Sequence, residues 1–421
     1  MRLHHNLVVG VAAALEEIFT TGAYASKVIE RTLKKNPRWG SRDRGFIANA
    51  VYSIVRYKRL YGEIASVSSD YRPEEIWRMI SVWLVLSDIE VPDWAEFKGT
   101  PVRRIRGMYD ELKEQRVLRE SIPDWLDELG MEHLPDIWEQ ELHALNQEAP
   151  VVLRTNRLKS GVKDLQHRLK EDGIDTATIK GYPDALQLIT RANVFRTDAF
   201  KKGHFEVQDA SSQLVAPFTK AQPGQRVVDS CAGAGGKTLH LAAQMQNKGI
   251  LIAMDKYGWK LKETKLRARR AGAHNVETRE ITSTKVLKKM NNQADVVLID
   301  APCTGLGVLR RNPDTKWKLQ PEHLDSLVRT QQMLLQSHSR MVKPGGTLVY
   351  ATCSILPMEN KMQVEAFLDS KIGKGFKLEE QRSQFVHRSG HDGFYMARMK
   401  RVIAETPSPV KPEAAAQTEE E

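Results

Sequence analysis

Two cysteines and an aspartate stand where a buried strand gives out. Residues 295–307 read DVVLIDAPCTGLG, with four consecutive apolar residues, Val296 to Ile299, leading to Asp300, Pro302 and Cys303. An apolar run rich in β-branched residues suits a parallel strand covered on both faces. Ligands in open α/β sheets bind beyond the carboxyl ends of such strands. A second strand, TLVYATC (347–353), launched from the turn KPGG (343–346), ends on Cys353. If the two strands are neighbours, their thiols lie side by side. A single strand-end cysteine is ordinarily a small buried hydrophobe. This chain, however, has three cysteines, and all fall in turns that follow apolar strands.

Paired thiols at one sheet edge suit a particular reaction. The C5 atom of cytosine is too electron-poor to attack a methyl donor. Addition of a thiolate at C6 makes the ring an enamine that is nucleophilic at C5. A free thiol is only a few per cent ionised at neutral pH, so the site must lower its pKa or supply a base. Once the methyl group has arrived, the C5 proton must leave and the thiolate must be expelled, which a second polar group assists.

The third cysteine belongs to a glycine-rich turn. RVVD (226–229) reads as a strand, SCAGAGGKT (230–238) as a turn, and Leu239, Leu241 and Ala242 begin a helix. Asp255 ends the next strand, ILIAM (250–254), at the distance from Gly235 at which an acid holds a ribose. Gly233, Gly235 and Gly236 depart from dinucleotide spacing and match no phosphate loop. A nucleoside cofactor such as S-adenosylmethionine fits better.

Repeated strand and helix units from Phe205 onward predict a doubly wound parallel sheet, an α/β fold. A basic helix over 260–270 is part of that alternation. Residues 1–148 read as helices. Leu7, Val8, Val11, Leu15, Ile18 and Phe19 mark one apolar face that Gly22 ends, Ser41 caps a second helix, and Pro73 opens a third. Six of the eight tryptophans fall in this region, which assigns them to its core. Ala149-Pro150 marks a boundary, and 149–204 reads as a small α/β segment. Its Arg154, Asn156, Arg157, Lys159 and Arg168 are candidates for a nucleic-acid surface, as are Arg42, Arg44, Arg56, Lys58, Arg59, Arg103, Arg104 and Arg106. The stretch after about 403 is rich in Pro, Ala and Glu and predicts a disordered tail.

With 421 residues the chain is long enough for two or three domains, and its net charge of +10 favours a polyanionic partner. Three cysteines cannot build a disulfide framework and match no zinc spacing, so no metal and a reducing cytoplasm are expected. No apolar run approaches the length that spans a bilayer, so no membrane partner is expected.

The segments FEVQDASSQLVAPF (205–218), DSCAGAGGKT (229–238), DAPCTGLG (300–307), RRNPDTKW (310–317), KPGGTLVYATCSILPMEN (343–360) and DGFYMARM (392–399) resemble the Sun/Fmu-type RNA (cytosine-5) methyltransferases. The resemblance covers about 205–399, in the family's order and spacing. It implies a class I methyltransferase-type, Rossmann-like domain over 205–402. SRDRGFIANAVYSIVR (41–56) and the helical pattern around it resemble the NusB-like RNA-binding domain found in small-subunit rRNA enzymes of this kind. On this resemblance Cys353 is the nucleophile, and Cys303 assists proton removal and release. Asp300 touches the cofactor and the cytosine N3 edge. Cys231, Ala232, Gly233, Ala234, Gly235, Gly236, Lys237 and Asp255 hold S-adenosylmethionine, with Cys231 a structural member of that loop. The partner implied is RNA, most simply 16S rRNA, bound by a monomer.

Three positions depart from the family pattern. Ala234 stands where a proline is usual, which should loosen the turn. Met358 replaces an acid, leaving Glu359 and Asn360. The acid expected after the next strand is absent, with Glu280 or Thr282 as substitutes. Two rival readings stay open. A DNA cytosine-5 methyltransferase would use the Pro-Cys thiol as its nucleophile. A non-catalytic RNA-binding assembly factor would have a decayed cofactor site.

Overall fold

The run 296–299 lies at the centre of the larger of two sheets. The computed structural model describes residues 3–68 and 70–403, so the expected tail falls outside it except at its first residue. Eleven strands are present among the described residues: β1 Val152–Thr155, β2 Thr176–Ile179, β3 Tyr182–Leu188, β4 Phe205–Val207, β5 Arg226–Asp229, β6 Ile250–Asp255, β7 Val276–Glu280, β8 Ala294–Asp300, β9 Val342–Thr352, β10 Phe376–Gln384 and β11 Phe394–Arg401. The seven-stranded sheet has the order β10-β11-β9-β8-β5-β6-β7. Strands β9, β8, β5, β6 and β7 run parallel, so their carboxyl ends share one edge.

Strand β8 owes its place to its composition. Successive side chains point to opposite faces of a strand. Val297 and Ile299 join Ile252, Leu335, Leu348 and Val364 on one face. Val296 and Leu298 join Val227, Leu239, Leu241 and Val349 on the other. An apolar residue at every position is what two covered faces require.

The sheet extends beyond the parallel strands read from the sequence. Strand β11 pairs antiparallel with β9, and β10 antiparallel with β11. The edge strand FKLEEQRSQ has no apolar run by which to recognise it, and its charges guard the open edge. Strand β9 also begins earlier than expected. It runs through the KPGG segment, where Gly345 takes φ 73° and the register against β8 shifts.

The described residues before 146 contain no strand. The helices His5–Thr21, Ser41–Arg56 and Pro73–Leu86 bury Leu7, Leu15, Ile47, Ile54, Ile76 and Ile80 in one core. Gly22 ends the first in the left-handed conformation, at φ 67°. Ser41 is not a cap: it is the first helical residue, and the Asp43 carboxylate accepts the Gly40 N–H at 2.9 Å instead. The later helices Asp124–His133 and Trp138–Leu145 join a different core. Leu126, Trp138 and Leu142 pack with Leu306, Leu309, Leu356 and Val386 from loops of the large sheet. Glu141, fully buried, accepts the backbone N–H groups of Val386 and His387 at 2.8 and 2.9 Å.

The small antiparallel sheet has the order β2-β3-β1-β4. It takes Arg154 and Asn156 out of the nucleic-acid surface expected from sequence and leaves Arg157, Lys159 and Arg168 exposed. Arg154 is buried, and its guanidinium donates to the Gly236 carbonyl at 2.7 Å. Asn156 donates to the carbonyls of Gly203 and Ala271, both at 2.8 Å. Lys159 caps the carbonyls of Lys202 and Arg270, while Arg157 and Arg168 pair with Asp184 and Asp164. A side chain in β1 looks solvated in sequence because nothing local shows that β4 and the next domain close over it. Among the described residues no helix is long and apolar enough to cross a membrane.

Candidate active site

The parallel register of β8 and β9 sets Asp300 against Ala351, so the turns beyond them start level. The Cys303 and Cys353 sulfurs lie 3.4 Å apart, both half-buried and within hydrogen-bond reach. The bond to Cys353, and then burial, hold the Cys303 thiol well above its ordinary pKa. Either sulfur can donate in this contact.

Lys237 reaches the same place from the helix Gly236–Gln244. Its ammonium donates to Asp300 at 2.7 Å and lies 5.0 Å from the centre of the Phe394 ring. Burial pulls the amine down, but the Asp300 carboxylate outweighs it, and a negative Cys353 sulfur raises it further.

A buried carboxylate orders the turns behind both thiols. Glu359 accepts the Thr304 N–H at 2.8 Å, the Thr304 hydroxyl at 2.5 Å and the Gln331 amide at 3.0 Å, and it also accepts the Ser354 hydroxyl. The backbones meet just as tightly. The Gly307 N–H donates to the Cys353 carbonyl at 3.0 Å, and a Cβ on Gly307 would come within 2.3 Å of the Gly393 carbonyl oxygen. Sequence reasoning assigns Glu359 no role. Its acidic side chain six residues past a strand-end cysteine is the available signal.

The glycine-rich turn lies between β5 and its helix. Gly233 and Gly235 take φ 55° and 85°. A Cβ on Gly235 would lie 2.8 Å from a Thr264 methyl carbon, so glycine is required there twice over. Asp255 accepts the N–H groups of Gly233 and Tyr257, both at 2.9 Å, and fastens the turn to the end of β6. The expected looseness at Ala234 meets two further ties: Arg267 donates to the Ala234 carbonyl at 2.7 Å and Thr264 to that of Gly233 at 3.0 Å. Cys231 packs against the sheet core, and burial followed by the Asp229 carboxylate pushes its pKa up, so this thiol is inert. Asp229 is itself raised to about 7 by burial, with one oxygen bonded to Thr238 and the other lacking a partner.

The two substitutes for the missing acid separate in space. Glu280 pairs with Asp255 in the β6–β7 register, and its carboxylate occupies the space where a Cβ on Gly258 would fall, 2.5 Å away. Thr282 lies exposed beyond the strand. Small residues from Cys231 to Gly236, together with Asp255 and Glu280 side by side, fit a nucleoside cofactor. Among the described residues no cluster of His, Cys, Asp and Glu is arranged to hold a metal ion.

Comparison with known proteins decides the family. A model of the 16S rRNA methyltransferase RsmB/F family matches residues 216–400, and a model of the ferredoxin-like domain of RsmF/B-like methyltransferases matches 122–195. A Synechocystis protein named probable ribosomal RNA small subunit methyltransferase B is 30% identical, with 92% of this chain and 97% of the relative aligned. The chain belongs to the RsmB/F family. It is an S-adenosylmethionine-dependent rRNA methyltransferase. Another RsmB/F-type relative, ribosomal RNA small subunit methyltransferase B of Klebsiella pneumoniae, is 37% identical over 66% of this chain and 65% of its own. The crystal structure of PH0851 superposes with a TM-score of 0.79 at 26% identity, over 93% of this chain and 98% of that one. NSun6 from Pyrococcus horikoshii, solved with SFG, shares the fold over 68% of this chain and 99% of its own (TM-score 0.62, 20% identity). The doubly wound sheet expected from sequence is thus the family's fold.

Proposed function

We propose that this enzyme methylates C5 of cytosine in small-subunit rRNA, through a covalent bond between the Cys353 sulfur and C6. The observation that carries the reading is geometric: two thiols lie 3.4 Å apart beyond the level ends of β8 and β9, beside the Lys237–Asp300 pair at 2.7 Å. Cys353 holds the Thr-Cys position to which the family resemblance gives the nucleophile. The Cys353 thiolate adds to C6 and pushes electron density to C5. S-adenosylmethionine, when bound, supplies the methyl group. After transfer, a water held beside Cys303 takes the C5 proton, the electrons of that C–H bond re-form the C5–C6 double bond, and the Cys353 thiolate is expelled. Asp300, oriented by Lys237, serves the cytosine N3 edge and the cofactor. The turn from Cys231 to Lys237, with Asp255 and Glu280, holds the nucleoside. The helical region 1–148 and the segment 149–204 contribute to RNA binding.

The two thiols are separated by substitution. Cys353→Ala should yield neither 5-methylcytosine nor an adduct. Cys303→Ala should attack and methylate, then stall as a protein–RNA crosslink that survives a denaturing gel. A crosslink from Cys353→Ala but none from Cys303→Ala would reverse the assignment and match the DNA-type order. The relatives' names are those of RNA enzymes, which favours Cys353 as the nucleophile.

A further inference from the structure

Part of the positive charge read from the sequence as RNA-facing is committed within the chain. Arg56 donates to the Arg310 carbonyl, Arg59 to the Ile122 carbonyl and Asp124, and Arg106 to Asp88. Arg154 and Asn156 are buried and bonded internally as well. A different cluster is free. The helix Gly258–Ala271, GWKLKETKLRARRA, carries six cations and one acid. Arg267 and Arg270 pair with Glu206. Lys260, Lys262, Lys265 and Arg269, with Lys256 just before the helix, have no ion pair among the described residues.

This helix also exposes apolar surface in an unusual place. Leu261, Thr264, Ala268 and Ala271 bury one face. On the other, Trp259 is 68% exposed, Leu266 58% and the neighbouring Tyr257 43%. Trp259, Lys262, Leu266 and Arg269 follow one another at three- and four-residue steps, a single stripe in which aromatic and aliphatic groups alternate with cations. The Tyr257 and Trp259 rings lie 6.3 Å apart, and the Lys260 ammonium sits 4.8 and 5.7 Å from their centres. A tryptophan so open contributes little to folding, and an apolar stripe rimmed by unpaired cations marks a binding surface. Bases offer a π face to an aromatic ring, and phosphates offer charge to lysine. Single-stranded RNA satisfies both.

Its position suits a substrate already engaged at the thiols. Tyr257 and Trp259 follow the carboxyl end of β6, on the edge where β8 and β9 deliver Cys303 and Cys353. Strand β6 lies three places from β9 in the sheet, roughly 14 Å at the usual strand spacing. That separation accommodates a different nucleotide of the strand that presents the target base.

We propose that Tyr257 and Trp259, flanked by Lys256, Lys260 and Lys262, form a stacking platform for a nucleotide of single-stranded RNA away from the modified base. The proposal rests on RNA as the substrate, whichever base atom is methylated. Its test is fluorescence anisotropy of a short labelled oligouridylate with the full chain, beside calorimetry with S-adenosylmethionine. Trp259→Ala should weaken RNA binding about fivefold, the lower end of what one stacked base contributes. Trp259→Phe should restore most of it, and cofactor affinity should stay at the wild-type value in both. Lys262→Gln should flatten the log–log salt dependence by roughly 0.7, one phosphate contact on a single strand. Unchanged RNA affinity in Trp259→Ala overturns the platform. So does a comparable fall in cofactor affinity, which would assign the ring to the nucleoside pocket. A wild-type chain that bound no RNA would instead overturn the substrate reading, and the thiol crosslinks test the C5 chemistry separately.

Discussion

Glu359 and Thr304 join the two thiol-bearing turns through two bonds, from the Thr304 N–H at 2.8 Å and its hydroxyl at 2.5 Å. Thr304 follows Cys303 and Glu359 lies six residues after Cys353, so this buried carboxylate fixes how one sulfur meets the other. Glu359→Ala would leave several buried donors without an acceptor. We expect a loss of about 3 kcal/mol in urea unfolding, since each unsatisfied buried group costs roughly 1–3 kcal/mol. Glu359→Gln should fold better while still methylating slowly, because it cannot accept from every donor at once. Wild-type turnover in Glu359→Gln would show that the network serves stability alone.

Gly307 is the second point where the turns are locked. Gly307→Ala would drive a methyl group into the Gly393 carbonyl and within 2.8 Å of the Cys353 carbonyl oxygen. Backbone lies on both sides, so no side chain can move aside. Overpacking of this kind costs roughly 1–3 kcal/mol. The expected result is a lowered melting temperature and a crosslink yield below wild type in the Cys303→Ala background.

Asp255 has two separable duties: two backbone N–H groups of this chain and, on the proposed reading, the ribose. Asp255→Ala should weaken S-adenosylmethionine binding by roughly 1.5–3 kcal/mol, the typical worth of bonds to a charged acceptor. Glu280→Gln, which keeps the shape beside Gly258 but removes the charge, should weaken it less. Calorimetry that found Asp255→Ala unaffected would place the ribose contact at Glu280.

Lys316 provides a pH signature of the seam between helices and sheet. Its buried ammonium donates to the Glu120 carbonyl at 3.1 Å and to the Asn146 side chain at 3.2 Å. Burial first, and then the Arg56 charge, bring its pKa down to about 7. The unfolded lysine titrates near 10.4. Between these values the unfolded state binds the extra proton, so stability contributed at this site rises with pH from about 7 upward. Lys316→Met should flatten that rise, which thermal unfolding of both proteins between about pH 6.5 and 9, the lower part of that window, would measure. Parallel curves would mean the amine keeps its proton when folded.

The sequence by itself determined the parts that depend on neighbours along the chain. Four apolar residues at 296–299 specify a doubly covered strand, and a polar turn carrying Asp300 and Cys303 must follow it. The glycines before Lys237 and the acid ending β6 are legible for the same local reason. Tertiary structure alone decided what depends on register and closure. The 3.4 Å thiol contact needs β8 and β9 to be level neighbours, and only the β6–β7 register sets Glu280 beside Asp255. Arg154 reads as a surface cation until β4 and the glycine-rich turn enclose it, whereas nothing beside Trp259 in the chain shows that its helix turns it outward. Burial is a property of what packs on a residue from elsewhere in the chain, and local spacing carries no record of it.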